Sequence, residues 1–179
     1  YEQTGWSQAD FDEKENGLWQ KAEYLPGKEK LVKKAAPDNG VKCIQMVSPI
    51  SVTEPVPGVY VYDFGKNING VCRLKLSGKA GDTVVMRHGE FLNQENLQRK
   101  DDEIGTIWTR NLYTADNTDY YIFKEDGTIT YTPTLTYRGF RYLQITGVET
   151  VPEIQDIEGV VLATENERTG YFENENRMG

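Results

Sequence analysis

The sequence predicts an all-β fold, an antiparallel β-sandwich or jelly roll, on three observations. Val71-Cys72-Arg73-Leu74-Lys75-Leu76 alternates apolar and polar residues with period two, the signature of a half-buried strand. Short runs rich in β-branched and aromatic residues recur from Val59 to Gly147, separated by Gly, Asn, Asp and Pro turn signals. Helical periodicity is almost absent, which leaves sheet packed on sheet as the architecture able to bury these runs.

Taken in order, Tyr1 to Tyr24 is polar with isolated Trp6 and Trp19. Asp10-Phe11-Asp12 followed by Gly17-Leu18-Trp19 predicts a short turn-like segment that docks its aromatics. Pro26-Gly27 and Pro37-Asp38-Asn39-Gly40 mark turns on either side of a charged stretch. Val41 to Val47 alternates loosely and predicts a strand, while Pro49, Pro55, Pro57 and Gly58 confine the pairing that follows to sheet edges. Val59 to Phe64 predicts a strand running into a Gly- and Asn-rich loop, and Val71 to Leu76 the next strand. Gly78 to Asp82 is a turn, and Thr83 to His88 returns from it. Glu90 to Thr106 is polar, acidic and aperiodic, and reads as a long exposed loop. Further strands are predicted over Ile107 to Tyr113, Thr118 to Lys124, Gly127 to Tyr131, Arg141 to Gly147 and Ile157 to Ala163, with a hairpin turn at Glu125-Asp126-Gly127. Trp108, Tyr113, Tyr120, Tyr121 and Tyr131 are read as sandwich core and cross-strand pairs.

At 179 residues, with 37% hydrophobic and 11% aromatic content, the chain can bury one substantial core. The net charge of −8 argues against a nucleic-acid partner, because phosphate neutralisation needs clustered Lys and Arg. The densest basic cluster, Lys28 to Lys34, is interrupted by Glu29. No apolar run approaches the roughly 18 residues of a membrane span, so no membrane partner is expected. Cys43 and Cys72 match no zinc spacing. Cys72 reads as a buried free thiol, and a disulfide between the two stays open. A chain opening on Tyr1 rather than Met reads as a piece excised from a longer protein.

Three groups of residues carry enough chemistry to be weighed as sites. Asp63, Asn67 and Asn69 place three oxygen-bearing side chains before Gly70. Calcium needs about six to eight oxygens, and Asx side chains serve tight turns well, so the turn is the preferred reading. Glu90 beside His88 invites acid–base chemistry, and Asp101, Asp102 and Glu103 offer nominal second carboxylates for glycoside cleavage. His88 is the sole histidine, which excludes a multi-histidine metal site, and structural roles are preferred for it and for Glu90. Tyr137-Arg138-Gly139-Phe140-Arg141-Tyr142 is the strongest candidate for a polar surface site. Its aromatics can stack on sugar C–H faces and its arginines can donate to hydroxyls, but the same residues can pair with a core-edge carboxylate or contact a neighbouring domain.

These strings, in this order, resemble the bacterial α-L-rhamnosidase family of glycoside hydrolases. The resemblance rests on Asp63-Phe64-Gly65, Asn67 and Gly70; Ala80-Gly81-Asp82-Thr83; Arg87-His88-Gly89-Glu90-Phe91-Leu92; Asp119-Tyr120-Tyr121-Ile122; Pro133; and Tyr137 to Tyr142. It implies the concanavalin-like β-sandwich that precedes the family's catalytic (α/α) barrel. On that basis residues 1–40 are expected to connect from an upstream β-domain, residues 41–165 to form the sandwich, and residues 166–179 to lead toward the barrel. The parent protein would hydrolyse terminal α-L-rhamnosides with two barrel carboxylates, and this piece alone would be inactive. No catalytic residue, metal site or cofactor is carried over, and the family's calcium-dependent rhamnose-binding module lies upstream. Tyr137, Arg138, Arg141, Asp63, Asn67 and Glu90 are the candidates for sugar binding or inter-domain contact. The expected partners are the protein's own barrel and upstream β-domain, with rhamnose-containing glycans as a further partner class. The rival readings are a carbohydrate-binding module with its own sugar site and a purely structural scaffold; the compartment is undetermined.

Overall fold

The structure is a computed structural model that describes residues 8–12, 14, 19–27, 32, 34, 35, 39–95 and 103–173. The expectations for Trp6, Gly17-Leu18, the Lys28 to Lys34 cluster (apart from Val32 and Lys34), Pro37-Asp38, Asp101 and Asp102 lie outside the described residues. Eight strands follow one another: β1 (Val41–Val47), β2 (Ser51–Val56), β3 (Val59–Gly78), β4 (Thr83–Gly89), β5 (Thr118–Ile122), β6 (Gly127–Tyr131), β7 (Arg138–Thr146) and β8 (Ile157–Thr164). Every pairing between them is antiparallel. Two single-turn 3-10 helices, Arg110–Leu112 and Ile154–Asp156, are the helical elements among the described residues.

The organising element is β3, whose 20 residues run through both layers of the fold. Its first part lies between β2 and β7, so that Tyr62 faces Val52 on one edge and Leu143 on the other. From Gly70 onward it pairs with β8, and from Leu74 with β6 as well. One layer is therefore β2-β3-β7-β4-β5 and the other β1-β8-β3-β6, joined by a single curled strand. The expected loop after Phe64 is thus corrected. The register shifts between Asp63 and Ile68 while the backbone stays extended. Gly65, at φ +74°, supplies the bulge by which a strand turns a corner between sheets.

Gly70 is required at that corner for another reason. It pairs with Arg138 on one side and Val161 on the other, and an added Cβ would sit 1.9 Å from the Val160 carbonyl oxygen. Gly70→Ala is expected to push β8 off β3 and lower unfolding free energy by about 1–3 kcal/mol. Urea denaturation checks this, and a wild-type midpoint would contradict it.

The core forms between the layers from inward-facing residues of both: Tyr62, Phe64, Leu74 and Leu76 of β3, Val84 and Met86 of β4, Phe140, Leu143 and Ile145 of β7, and Ile157 of β8. Buried Tyr62 donates its hydroxyl hydrogen bond to the Pro152 carbonyl, which satisfies the polar tip of an otherwise apolar side chain. Burial raises the Tyr62 pKa above the ordinary tyrosine value. Cys72 is buried and Cys43 exposed on β1, and both thiols are free.

Three further expectations are corrected. Ile107 to Tyr113 forms no strand: Ile107 bridges Leu92, and the chain then turns through Arg110–Leu112. The Ile107 N–H is taken by the Gln144 side-chain oxygen at 3.0 Å, which ends the ladder locally. The Glu90 to Thr106 segment is not exposed at its base, where Asn93 and Thr106 are buried and the Asn93 N–H donates to the Thr106 carbonyl at 2.7 Å. The Tyr121 and Tyr131 rings pack as expected, tilted against each other at 5.0 Å, and Trp108 meets Phe91 edge-on. Tyr113 and Tyr120, however, face solvent, 94% and 56% exposed. Alternation along β5 sends Tyr120 outward when Tyr121 points in, and Tyr113 lies in a turn at φ 55°.

Candidate functional site

The candidate residues gather around two arginine–carboxylate pairs, and both arginines come from the same strand, β7. Arg141 forms a fork on Asp63 of β3, Nε donating to Oδ1 at 2.8 Å and Nη2 to Oδ2 at 2.9 Å. Asp63 Oδ1 also accepts the Gly65 N–H at 2.6 Å, the Asx-turn contact that shapes the bulge. The hydrogen bond from Arg141 holds the Asp63 carboxyl below the usual aspartate range, and Asp63 in turn raises the arginine's pKa. The guanidinium also lies 5.0 Å over the Tyr142 ring. This pair therefore locks the corner where β3 changes layers. Because both side chains are partly exposed, Asp63→Asn is expected to cost only about 1 kcal/mol. A thermal unfolding curve is the measurement, and a loss above about 3 kcal/mol would show that the pair is better shielded than its exposure implies.

Arg138, at the start of β7, reaches across to β5. Its Nη2 donates to Asp119 Oδ1 at 2.6 Å and to the Thr118 carbonyl at 3.3 Å, while Nη1 donates to the Asp116 carbonyl at 3.3 Å. Behind this clamp lies His88 of β4, 1% exposed, its ring edge-on to Phe140 at 4.8 Å. Its Nδ1 is 4.0 Å from Asp119 Oδ2. Burial lowers the His88 pKa to about 4, against the upward pull of the Asp119 carboxylate. The imidazole is therefore neutral at neutral pH.

The remaining candidates are more loosely placed. Glu90 is half-buried and accepts a long hydrogen bond from Asn111 Nδ2 at 3.4 Å. Asn67 and Tyr137 are exposed. Asn69 is tied to the Leu162 carbonyl at 3.1 Å. The structure thus joins Asp63 to Arg141, and sets Arg138 against Asp119 rather than against any of the other candidates. Asp119 had no signal of its own as the partner, since one acidic residue looks like another until register brings β5 beside β4. Chemically the two aspartates are neutralised by arginines that organise strands, which suits positioning and not proton transfer. Among the described residues no three His, Cys, Asp or Glu side chains come together as a metal site.

The family profile of the bacterial alpha-L-rhamnosidase concanavalin-like domain matches residues 53–163. An alpha-L-rhamnosidase of Streptomyces avermitilis is 37% identical over 174 residues, which cover 96% of this chain and 16% of that protein. The crystal structure of a Streptomyces avermitilis alpha-L-rhamnosidase complexed with L-rhamnose superposes with a TM-score of 0.67 at 40% identity, over 79% of this chain and 13% of the other. That of the native enzyme from Aspergillus terreus superposes with a TM-score of 0.72 at 31% identity, over 98% of this chain and 19% of the other.

Proposed function

Since the chain belongs to the concanavalin-like domain family of bacterial alpha-L-rhamnosidases, we propose that it is a non-catalytic accessory β-sandwich of a glycoside hydrolase acting on terminal α-L-rhamnosides. The observation that carries this reading is one of proportion. The match takes in 96% of this chain yet spans only 16% of the relative's length. The internal chemistry supports it: Asp63 and Asp119 are each committed to an arginine that holds strands together. In this reading Tyr137, Asn67 and Glu90 border the neighbouring domains, and Arg138 and Arg141 hold that border in shape. The partners are a catalytic barrel and an upstream β-domain of the same polypeptide.

The test compares the 179-residue chain with the complete gene product on a chromogenic α-L-rhamnoside. The complete protein is expected to turn over, and the isolated chain to release no chromophore above buffer. Turnover by the isolated chain, or none by a folded complete protein, would overturn the assignment.

A further inference from the structure

On the outer face of β4 lies a cleft that the accessory reading does not use. It has a volume of about 300 Å³ and is lined by Arg87, Thr109, Tyr113, Asp116 and Asn117 among others. A second cavity of about 170 Å³ shares Arg87 and Thr109 and extends to Asn93 and Trp108. Arg87 thus borders two neighbouring spaces. Among the described residues its guanidinium pairs with no carboxylate. Deeper in, Asn93 is 6% exposed, and its Oδ1 and the Trp108 Nε1 are buried without a hydrogen-bond partner. An unpaired acceptor and an unpaired donor in one small polar cavity are costly unless something fills it.

Tyr113 adds an independent observation. It holds a positive φ of 55°, a conformation that bulky residues rarely adopt, yet its ring is 94% exposed. Backbone strain that presents an aromatic face to solvent, beside a cleft, is a pattern of ligand-binding loops.

We propose that this cleft binds one unit of a neutral glycan. A sugar offers vicinal hydroxyls, each both donor and acceptor, and one apolar C–H face. Arg87 donates in a fixed fork, Asp116 accepts, the Thr109 hydroxyl does either, and the Tyr113 ring covers the C–H face. In the walls Arg87 and Arg110 stand against Asp116 and Glu103, a balance of charge that favours a neutral ligand over an ionic one. Arg138 lies outside the cleft and holds two of its wall residues, Asp116 and Thr118, by their carbonyls, and the site requires no catalysis by this chain.

The test is amide-shift NMR of the 15N-labelled chain titrated with L-rhamnose, D-glucose, D-galactose and, as the anionic counterpart, D-glucuronate. At least one neutral sugar should produce saturable shifts centred on Thr109 to Thr118, with a Kd on the order of millimolar. Arg87→Ala and Tyr113→Gly should each weaken that binding about tenfold or more. Both side chains are exposed. Glycine tolerates the backbone conformation of Tyr113, so that variant should melt no lower than the wild type. The proposal is overturned by any of three results: no localised shifts at about 100 mM of every sugar, shifts with glucuronate alone, or neutral-sugar shifts that survive both substitutions.

Discussion

Phe140→Ala is expected to lower the unfolding free energy by about 3–5 kcal/mol, the range for removing a fully buried phenylalanine. Phe140 has no solvent exposure and sits on β7 opposite Ile68, beyond the bend of β3. Its ring meets Phe64 edge-on at 5.5 Å and His88 at 4.8 Å. It therefore fills the space between the bulge of β3 and the buried end of β4. Truncation leaves a cavity that these rings can close only by moving the strands that hold them, since Phe140 is paired with Ile68 and His88 with Leu143. It also opens a route for water to His88. For a chain of this size the change corresponds to a fall in Tm on the order of 10 °C. Phe140→Leu, which keeps most of the volume, should cost clearly less. Urea denaturation of both variants checks the pair, and equal losses would show that aromatic contact, not volume, governs the site.

How far the sequence alone reaches is visible in these same residues. The strands from Val71 to Leu76 and Thr83 to His88 were legible because one face is buried and period two is the direct imprint of that burial. The continuity of β3 was not. Gly65, Asn67, Asn69 and Gly70 are the residue types of a loop, and only pairing with distant β7 and β8 makes them a bulge and a crowded crossing. Tyr113 and Tyr120 were misread for a related reason: aromatic residues in a β-rich segment are usually core, but facing is decided by register and turn geometry. The two arginines were legible as a kind, one or both pairing with a carboxylate at the core edge. Which carboxylate each takes was not, since Asp63 and Asp119 lie 78 and 19 residues away in sequence from their partners. The cleft around Arg87 left no sequence signal at all, because its walls come from β4 and from a turn more than twenty residues later.

The second large effect is acid sensitivity through His88. In the folded protein this imidazole faces the Asp119 carboxylate, the Arg138 guanidinium behind it, the Phe140 ring and the Asn117 backbone. Burial holds its pKa at about 4, against 6.5 for a free histidine. The unfolded chain therefore takes up the proton first. Stability from this group is complete above about pH 6.5 and is lost as the pH falls toward 4. A shift of this size corresponds to roughly 3 kcal/mol. Asp63, whose pKa is lowered by Arg141, adds a separate loss only at more acid pH, within and below the carboxylate range. His88 is the only histidine, and no other side chain ordinarily titrates between pH 5 and 6.5, so the slope in that interval reports one group. His88→Gln should flatten it while leaving the more acid loss from Asp63 in place. Asp119→Ala acts in the opposite sense. It strips Arg138 of its carboxylate and leaves a shielded cation facing the ring, so stability at neutral pH should fall by about 3 kcal/mol and His88 should become harder still to protonate. Denaturant midpoints at pH 7.5, 6 and 5, with the imidazole Cε1–H resonance followed over the same range, separate these contributions. A folded-state titration of that resonance near pH 6.5 would remove the basis for the whole effect.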